Sequence, residues 1–414
     1  MMFENTNAIQ RVLLASVDTG EFDNEASIQE LEELTKTANG EVVAKVVQKR
    51  PAFEKSTCIG QGRLQEVSTL CQQLDVDLII FDHELTATQI RNIEEVTKVR
   101  TIDRTTLILD IFAQRARTKE GKLQVELAQQ KYRLPRLAGM GVELSRLGGG
   151  IGTRGPGETK LETDKRHIRS RISTLEAELK ELKRHRDYSR KRRKKDGVLC
   201  VAVVGYTNAG KSTLVNALTN SNIFAKDILF ATLDTTSRGL TLPDGRTILI
   251  TDTVGLIRRL PHQLVEAFKS TLEEACSSDL ILNVVDVSSP DYLEHLEVTK
   301  SLLSELGCDE IPKVTVFNKC DSCDYLNTLP NDDTNVKVSA KLQLGFDELL
   351  QAISVNLPET FKRKTLLIPY DKSNLIAKIR LDGRVYSEDY QETGTIVDAL
   401  VDVRLLKEVQ QYTI

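Results

Sequence analysis

One segment, a strand-like run followed by a glycine-rich loop and a helix-like stretch, constrains the fold of this chain most. The run is Val198–Val204, the loop G-Y-T-N-A-G-K-S follows, and residues 213–218 have helical character. In such a loop, backbone N–H groups close around phosphates, the lysine reaches the β- and γ-phosphates, and the final hydroxyl ligates magnesium. The pattern predicts a mostly parallel α/β domain with a phosphate site formed by Gly205, Tyr206, Thr207, Asn208, Ala209, Gly210, Lys211 and Ser212.

Two further segments between this loop and residue 255 suit the γ-phosphate side of the site. The strand-like residues 247–250 precede a D-x-x-G motif made of Asp252, Thr253, Val254 and Gly255. Asp252 would hold Mg²⁺ through water, and the Gly255 amide would contact the γ-phosphate. The intervening F-A-T-L-D stretch suits the loop that closes on magnesium, with Thr232 as the predicted ligand and Thr236 as the alternative. Its residues are Phe230, Ala231, Thr232, Leu233 and Asp234.

An N-K-x-D motif predicts which base is bound. It consists of Asn318, Lys319, Cys320 and Asp321, and it follows the strand-like residues 314–317. The Asp321 carboxylate can accept hydrogen bonds from the N1–H and N2–H₂ groups of guanine, whereas adenine has no such donor pair. Ser339, Ala340 and Lys341 would back the base from the other side. The motifs together predict GTP and GDP as ligands.

A C-x-x-C pair within the guanine motif has a simpler explanation than metal or redox chemistry. Cys320 fills the free position of the motif, Cys323 follows it, and no second ligand pair lies nearby in the sequence. We therefore interpret the pair as chance.

Length and composition exclude several classes of protein. The chain has 414 residues and seven scattered cysteines, which suggests several domains and reduced thiols rather than a disulfide framework. No apolar run reaches the roughly 18 residues of a membrane span, and the N-terminus lacks the pattern of a signal peptide. We expect a cytoplasmic protein that is monomeric when free.

The net charge of −4 conceals a strong polarity along the chain. Residues 103–197 contain 25 Lys and Arg against 13 Asp and Glu, and the remainder contains 31 against 47. A basic segment of this kind gains affinity for polyanions through counterion release. RNA is the cytosolic polyanion that best fits a GTPase.

The pattern of apolar residues predicts four regions. Residues 1–102 alternate strands with helices near 25–38, 62–74 and 86–98, which indicates a small α/β domain. Residues 103–197 form a basic hairpin, in which we expect two long helices over 104–137 and 158–195. Residues 198–358 form the GTP-binding domain, and residues 359–414 form a small α/β appendage.

The basic segment contains two candidate RNA-binding elements. Its tip, residues 139–157, contains eight of the 23 glycines together with Arg146 and Arg154. Bare backbone amides and arginines suit close approach to phosphates, although a flexible linker would have a similar composition. The second element could equally be a solvated junction between domains. It comprises Lys183, Arg184, Arg186, Arg190, Lys191, Arg192, Arg193, Lys194 and Lys195.

Three segments of the chain resemble the HflX family of ribosome-associated GTPases. They are Phe112–Ala128, Gly149–Asp164 and Phe230–Asp234, and the second is nearly exclusive to that family. The resemblance implies an N-terminal domain unique to the family, a helical hairpin and a G domain of the Obg type. It also implies binding to the large ribosomal subunit and its rRNA, with a role in ribosome splitting, rescue or subunit quality control. The family's magnesium-binding threonine falls on Thr232.

Two positions bear on the rate of hydrolysis and on the cofactors. Ras-type enzymes orient the attacking water with a glutamine just after the D-x-x-G glycine, where this chain has Leu256. We therefore assign no catalytic residue and expect slow hydrolysis until the ribosome, or another part of the chain, positions the water. We expect Mg²⁺ as cofactor. Asn208 resembles the asparagine that ligates K⁺ in related GTPases, but a loop-stabilising hydrogen bond explains it equally well.

Two other functions remain open at this level. The N-terminal domain could remodel or modify RNA under control of the G domain, although the sequence contains no catalytic triad, metal cluster or second phosphate loop to support this. Alternatively, the protein could be an assembly factor that marks maturing large subunits and uses GTP for release.

Overall fold

The N-terminal region folds around a parallel sheet. The computed structural model describes residues 9–146, 160–219, 229–230, 236–259, 274–323 and 328–414. Four parallel strands in the order β2-β1-β3-β4 alternate with helices. The elements are β1 (Gln10–Asp18), α1 (Asn24–Thr37), β2 (Gly40–Lys49), α2 (Gln61–Gln73), β3 (Leu78–Phe81), α3 (Ala87–Thr97) and β4 (Arg100–Asp103). The sequence did not predict β4, whose four residues are too short to show a clear period.

Local capping explains where α1 and α3 begin. Asp23 accepts hydrogen bonds from the Glu25 and Ala26 amides at the start of α1. Thr86 and Gln89 form a reciprocal capping box at the start of α3. The sheet changes winding direction between β1 and β3, so polar side chains that follow these two strands meet at one edge.

The described part of the basic segment contains three helices, whereas the sequence predicted two. They are α4 (Arg104–Arg115), α5 (Lys119–Arg146) and α6 (Lys160–Lys195). The prediction of one helix over 104–137 is wrong, because Ala116 has an extended conformation with φ −62° and ψ 113° that ends α4. Helices α5 and α6 pack side by side through buried leucines, and the Arg171 guanidinium forms two hydrogen bonds of 2.7 Å with the Glu126 carboxylate.

The described strands of the G domain form a sheet in the order β10-β9-β8-β5-β7-β6, and among these strands the pairing of β6 with β7 is the antiparallel one. A phosphate loop lies between the buried strand β5 and helix α7, as predicted. The elements are β5 (Cys200–Gly205), α7 (Lys211–Leu218), β6 (Thr236–Thr241), β7 (Thr247–Asp252), β8 (Leu280–Asp286), α8 (Tyr292–Glu305), β9 (Lys313–Asn318), β10 (Asn335–Lys337) and α9 (Phe346–Asn356). This arrangement confirms the predicted fold class.

The C-terminal region forms an antiparallel sheet in the order β11-β13-β12, with helices packed on one face. Arg404 donates a hydrogen bond to the Lys195 carbonyl at 3.3 Å and so ties this region to the end of α6. The elements are β11 (Phe361–Ile368), α10 (Asn374–Asp382), β12 (Arg384–Gln391), β13 (Gly394–Asp402) and α11 (Leu406–Val409). No helix in the described ranges is long and apolar enough to cross a membrane.

Candidate nucleotide-binding site

Two glycines shape the phosphate loop because no side chain would fit at their positions. A Cβ atom on Gly205 would lie 2.1 Å from the Val284 carbonyl oxygen of the neighbouring strand β8. Gly210 has φ +88°, and a Cβ there would lie 2.2 Å from Nδ2 of Asn318. The loop therefore turns tightly against β8 and the guanine motif, which places the N-terminus of α7 at the carboxyl end of the sheet.

Lys211, Ser212 and Asp252 lie together at the γ-phosphate side. The Lys211 ammonium is buried and donates to the carbonyls of Gly205 and Tyr206 at 3.1 and 2.8 Å. Burial lowers the pKa of Lys211 to about 8, although the Asp252 charge acts in the opposite direction. The Ser212 hydroxyl donates to Oδ2 of Asp252 at 2.7 Å. A hydroxyl and a carboxylate are the hard oxygen donors that Mg²⁺ prefers, so these residues fit the expected ion.

Asn318 connects three of the predicted motifs. Its side-chain amide donates to the Ala209 carbonyl at 2.7 Å and accepts from the Ala340 amide at 3.0 Å. The residue is 1% exposed, so both contacts are shielded from water. The asparagine thus braces the base-binding loops against the phosphate loop.

Asp321 is exposed and ready to accept hydrogen bonds. Its Oδ1 accepts from the Ser339 hydroxyl at 2.6 Å, and this hydrogen bond lowers the pKa of Asp321. The carboxylate is therefore charged at neutral pH and can accept from the two guanine N–H groups. Lys319 has a left-handed φ of +62° and pairs with Asp286 at 2.7 Å. Cys320 and Cys323 are free thiols.

The segment after Asp252 turns away from solvent. A Cβ on Gly255 would lie 3.2 Å from the Lys211 ammonium, so this glycine is adjacent to the phosphate-binding lysine. Leu256 is 3% exposed and packs in a core that it shares with the N-terminal domain. Phe230 lies in the same core, edge-on to Phe112 of α4 with ring centroids 4.6 Å apart. The aromatic ring of Phe230 therefore packs against other protein side chains in this core.

Part of the predicted site lies outside the described residues. Ala231, Thr232, Leu233, Asp234 and Arg154 lie outside the described residues. Arg146 and Lys194 belong to helices α5 and α6, of which only the backbone is described at these positions. Thr236, the alternative magnesium ligand, is the first residue of β6 and is paired in register with Asp252.

Comparison with known proteins identifies the family of this chain. Residues 25–113 match the family described as GTP-binding GTPase N-terminal, residues 115–193 match GTP-binding GTPase Middle Region, and residues 200–319 match 50S ribosome-binding GTPase. The chain is 49% identical to GTPase HflX of Caldanaerobacter subterraneus over 98% of its length and 94% of the relative. It is 38% identical to GTPase HflX of Escherichia coli over 95% of its length and 94% of that protein. This chain belongs to the HflX family of GTPases.

A crystal structure of SsGBP with GDP superposes with a TM-score of 0.49 and 25% identity, covering 84% of this chain and 98% of that one. The assignment rests on the sequence relatives, which extend over all three matched regions. The HflX-family chain is therefore a GTPase that hydrolyses GTP, as the motifs predicted.

The basic run on α6 of this HflX-family GTPase is divided between two faces. Arg190 and Arg193 both pair with Glu274, at 2.5 and 3.2 Å, and Arg186 pairs with Glu120. These three arginines are spaced four and three residues apart, which places them on one side of the helix facing the protein. The other described cations of the run are exposed, and they are Lys183, Arg184, Lys191, Arg192 and Lys195.

An ion cluster that no local sequence pattern indicates joins the N-terminal and G domains, and three of its four side chains are buried. We call it the interdomain ion cluster, and it consists of Glu30, Asp82, Arg104 and Arg259. Arg104 bonds to Asp82 at 2.8 Å and to Glu30 at 2.9 Å, while Arg259 reaches Asp82 at 3.0 Å. Burial would raise the pKa of Asp82, but the two guanidiniums and Ser27 outweigh it and lower the pKa. Arg259 follows the D-x-x-G motif closely, but no local pattern identifies its partners.

Proposed function

We propose that this GTPase binds the large ribosomal subunit in the cytoplasm and couples GTP binding and hydrolysis to ribosome splitting, rescue or subunit quality control. The family description matched by residues 200–319 refers to the 50S ribosome, which supports the proposal. The observation that carries it is the division of α6 into a protein-facing and a solvent-facing set of cations.

The solvent-facing set suits an RNA backbone. The Arg184 and Arg192 side chains are 74% and 78% exposed, although each lies near an acidic neighbour on the same helix. Exposed pairs of this kind are weak and are readily exchanged for contacts with phosphates. A helix of 36 residues that carries such cations along one side can follow the groove of a folded RNA.

The same site suggests why a ribosome would be needed for fast turnover. The buried Leu256 side chain can neither donate nor accept a hydrogen bond, so it cannot orient a water molecule. Ser212, Asp252 and Thr232 would hold Mg²⁺, which neutralises charge on the β- and γ-phosphates when bound. We propose that contact with the large subunit provides or moves the group that positions the attacking water.

Co-sedimentation with purified ribosomal subunits tests the proposal directly. The protein, loaded with GDP or with a non-hydrolysable GTP analogue, would be centrifuged with small subunits, large subunits, precursors of large subunits and whole ribosomes. The test variant replaces Lys183, Arg184, Lys191 and Arg192 with glutamine. The matched control removes four exposed cations from the C-terminal domain, Lys362, Lys372, Arg384 and Lys407.

We expect binding to large subunits and stimulation of hydrolysis by them. In the test variant the log–log salt slope should decrease by roughly 0.7 to 0.9 for each phosphate that the protein no longer neutralises. The control should keep the slope of the wild type. Equal behaviour of both variants would contradict an RNA contact through α6, and binding restricted to precursors would favour an assembly factor. Fast hydrolysis that is indifferent to large subunits would contradict the proposed role of the ribosome.

A further inference from the structure

Tyr206 occupies a position in the phosphate loop that the nucleotide motif leaves free, yet its side chain connects three parts of the molecule. The residue is 6% exposed and lies in the core shared by the N-terminal and G domains. Its ring stacks on His295 of α8, with centroids 3.8 Å apart and planes inclined by 13°. Its hydroxyl reaches the Arg258 amide at 2.6 Å and Oε2 of Glu30 at 2.7 Å.

The direction of these hydrogen bonds follows from their chemistry. A backbone N–H can only donate, so the Arg258 amide donates to the phenol oxygen. The phenol has one proton, and Glu30 provides the acceptor for it. The other carboxylate oxygen of Glu30 accepts from Arg104 at 2.9 Å, which fixes the carboxylate in place. Glu30 therefore orients the hydroxyl of Tyr206 and leaves its lone pairs facing Arg258.

This hydrogen bond fixes the backbone that follows Gly255. The Leu256 amide donates to the Gly205 carbonyl at 3.1 Å, and the Thr207 amide donates to the Leu256 carbonyl at 2.7 Å. The phenol of Tyr206 then holds the same segment at Arg258. The segment is thus attached to the phosphate loop at two points just beyond the glycine that neighbours Lys211.

We propose that Tyr206 is a positioning residue for GTP hydrolysis, because its phenol, oriented by Glu30, holds the backbone after Gly255 so that the Gly255 amide meets the γ-phosphate. The contacts of GDP differ, since the β-phosphate binds to loop amides that the phenol does not touch. Tyr206 therefore affects recognition of the γ-phosphate and leaves recognition of GDP alone. This inference does not depend on the ribosomal partner.

The Tyr206→Phe variant tests the proposal because it removes the hydroxyl and keeps the ring that stacks on His295. Equilibrium binding of fluorescent GDP and of a non-hydrolysable GTP analogue would be measured, together with single-turnover hydrolysis. We expect GDP affinity to stay within about twofold of the wild type. Affinity for the analogue and the hydrolysis rate should each fall about tenfold, the effect of removing a hydrogen bond whose partners remain buried.

Tyr132→Phe is the matched control. Tyr132 is 4% exposed, and its hydroxyl also donates to a buried carboxylate, that of Asp103. Within the described residues, the hydrogen bonds of these two side chains go to β4, α3, α4 and α5 or the loops beside them and not to the phosphate loop. This variant should leave the ratio of analogue to GDP affinity unchanged. Glu30→Gln should weaken binding of the analogue but not of GDP. Adding Glu30→Gln to Tyr206→Phe should not change the ratio of analogue to GDP affinity any further.

Three outcomes would overturn the proposal. They are an equal loss of GDP and analogue affinity in Tyr206→Phe, an unchanged ratio, and the same change of ratio in Tyr132→Phe. Circular dichroism verifies that each variant folds. If Tyr206→Phe does not fold, Glu30→Gln decides the question, since an unchanged ratio in that variant contradicts the orientation of the phenol by Glu30.

Discussion

The interdomain ion cluster gives the sharpest prediction about stability. Asp82 is 0% exposed, and its carboxylate lies 2.8 Å from Arg104 and 3.0 Å from Arg259. The carboxylates of Asp82 and Glu30 balance the charges of the two guanidiniums. The Asp82→Asn substitution preserves shape but breaks the buried pair with Arg104, which keeps only Glu30, and removes the partner of Arg259, whose side chain is 32% exposed. Removing one member of a buried pair typically costs about 3 to 5 kcal/mol, so the segments around the cluster should open far more readily.

Hydrogen exchange followed by mass spectrometry measures this opening segment by segment. We expect faster exchange in β3 and α4 of Asp82→Asn, by the factor of more than about a hundred that corresponds to 3 kcal/mol. The C-terminal sheet should exchange as in the wild type.

Two further variants isolate the cause. Adding Arg259→Gln to Asp82→Asn restores the charge balance and should recover much of the protection. Asp398→Asn, which breaks the exposed pair between Arg363 and Asp398, should leave its own sheet unchanged. If Asp82→Asn exchanges no faster than Asp398→Asn, or if the double variant is worse than the single one, the charge argument is wrong.

The remaining predictions concern pH, base recognition and the phosphate loop. Burial lowers the pKa of His83 and of His295 to about 4, from 6.5 in the unfolded chain. The unfolded state therefore binds more protons in this range, so the thermal midpoint should decrease as pH falls from 6.5 towards 4; a constant midpoint would contradict this. Asp321→Asn should shift preference from GTP to xanthosine triphosphate, and unchanged GTP affinity would exclude base recognition by this carboxylate. Gly210→Ala should abolish nucleotide binding, whereas Gly245→Ala, with a similar φ of +87° but open space around it, should bind normally. Normal nucleotide binding by Gly210→Ala would contradict the steric argument.

The nucleotide motifs could be recognised in the sequence because each of them is local. A strand, a tight turn and a helix follow one another within a few residues in the phosphate loop, and strand ends of one parallel sheet meet at the same edge. In the structure Ser212 meets Asp252, and both had been assigned to the magnesium site, while Asn318 of the guanine motif lies near Ala340. The comparisons confirmed the family that Gly149–Asp164 had suggested, although most of that segment lies outside the described residues.

Tertiary structure alone decided how the domains meet. Tyr206 and Glu30 are 176 residues apart in the sequence, and no periodicity or spacing relates them. Arg190 and Arg184 look alike in the basic run, but the packing of α6 turns one towards Glu274 and the other towards solvent. Sequence determines which groups a chain has and which local turns they can make. Burial makes a charged or polar group require a partner, and distant groups become buried together only when the domains pack. Tertiary packing therefore decides which distant groups become partners.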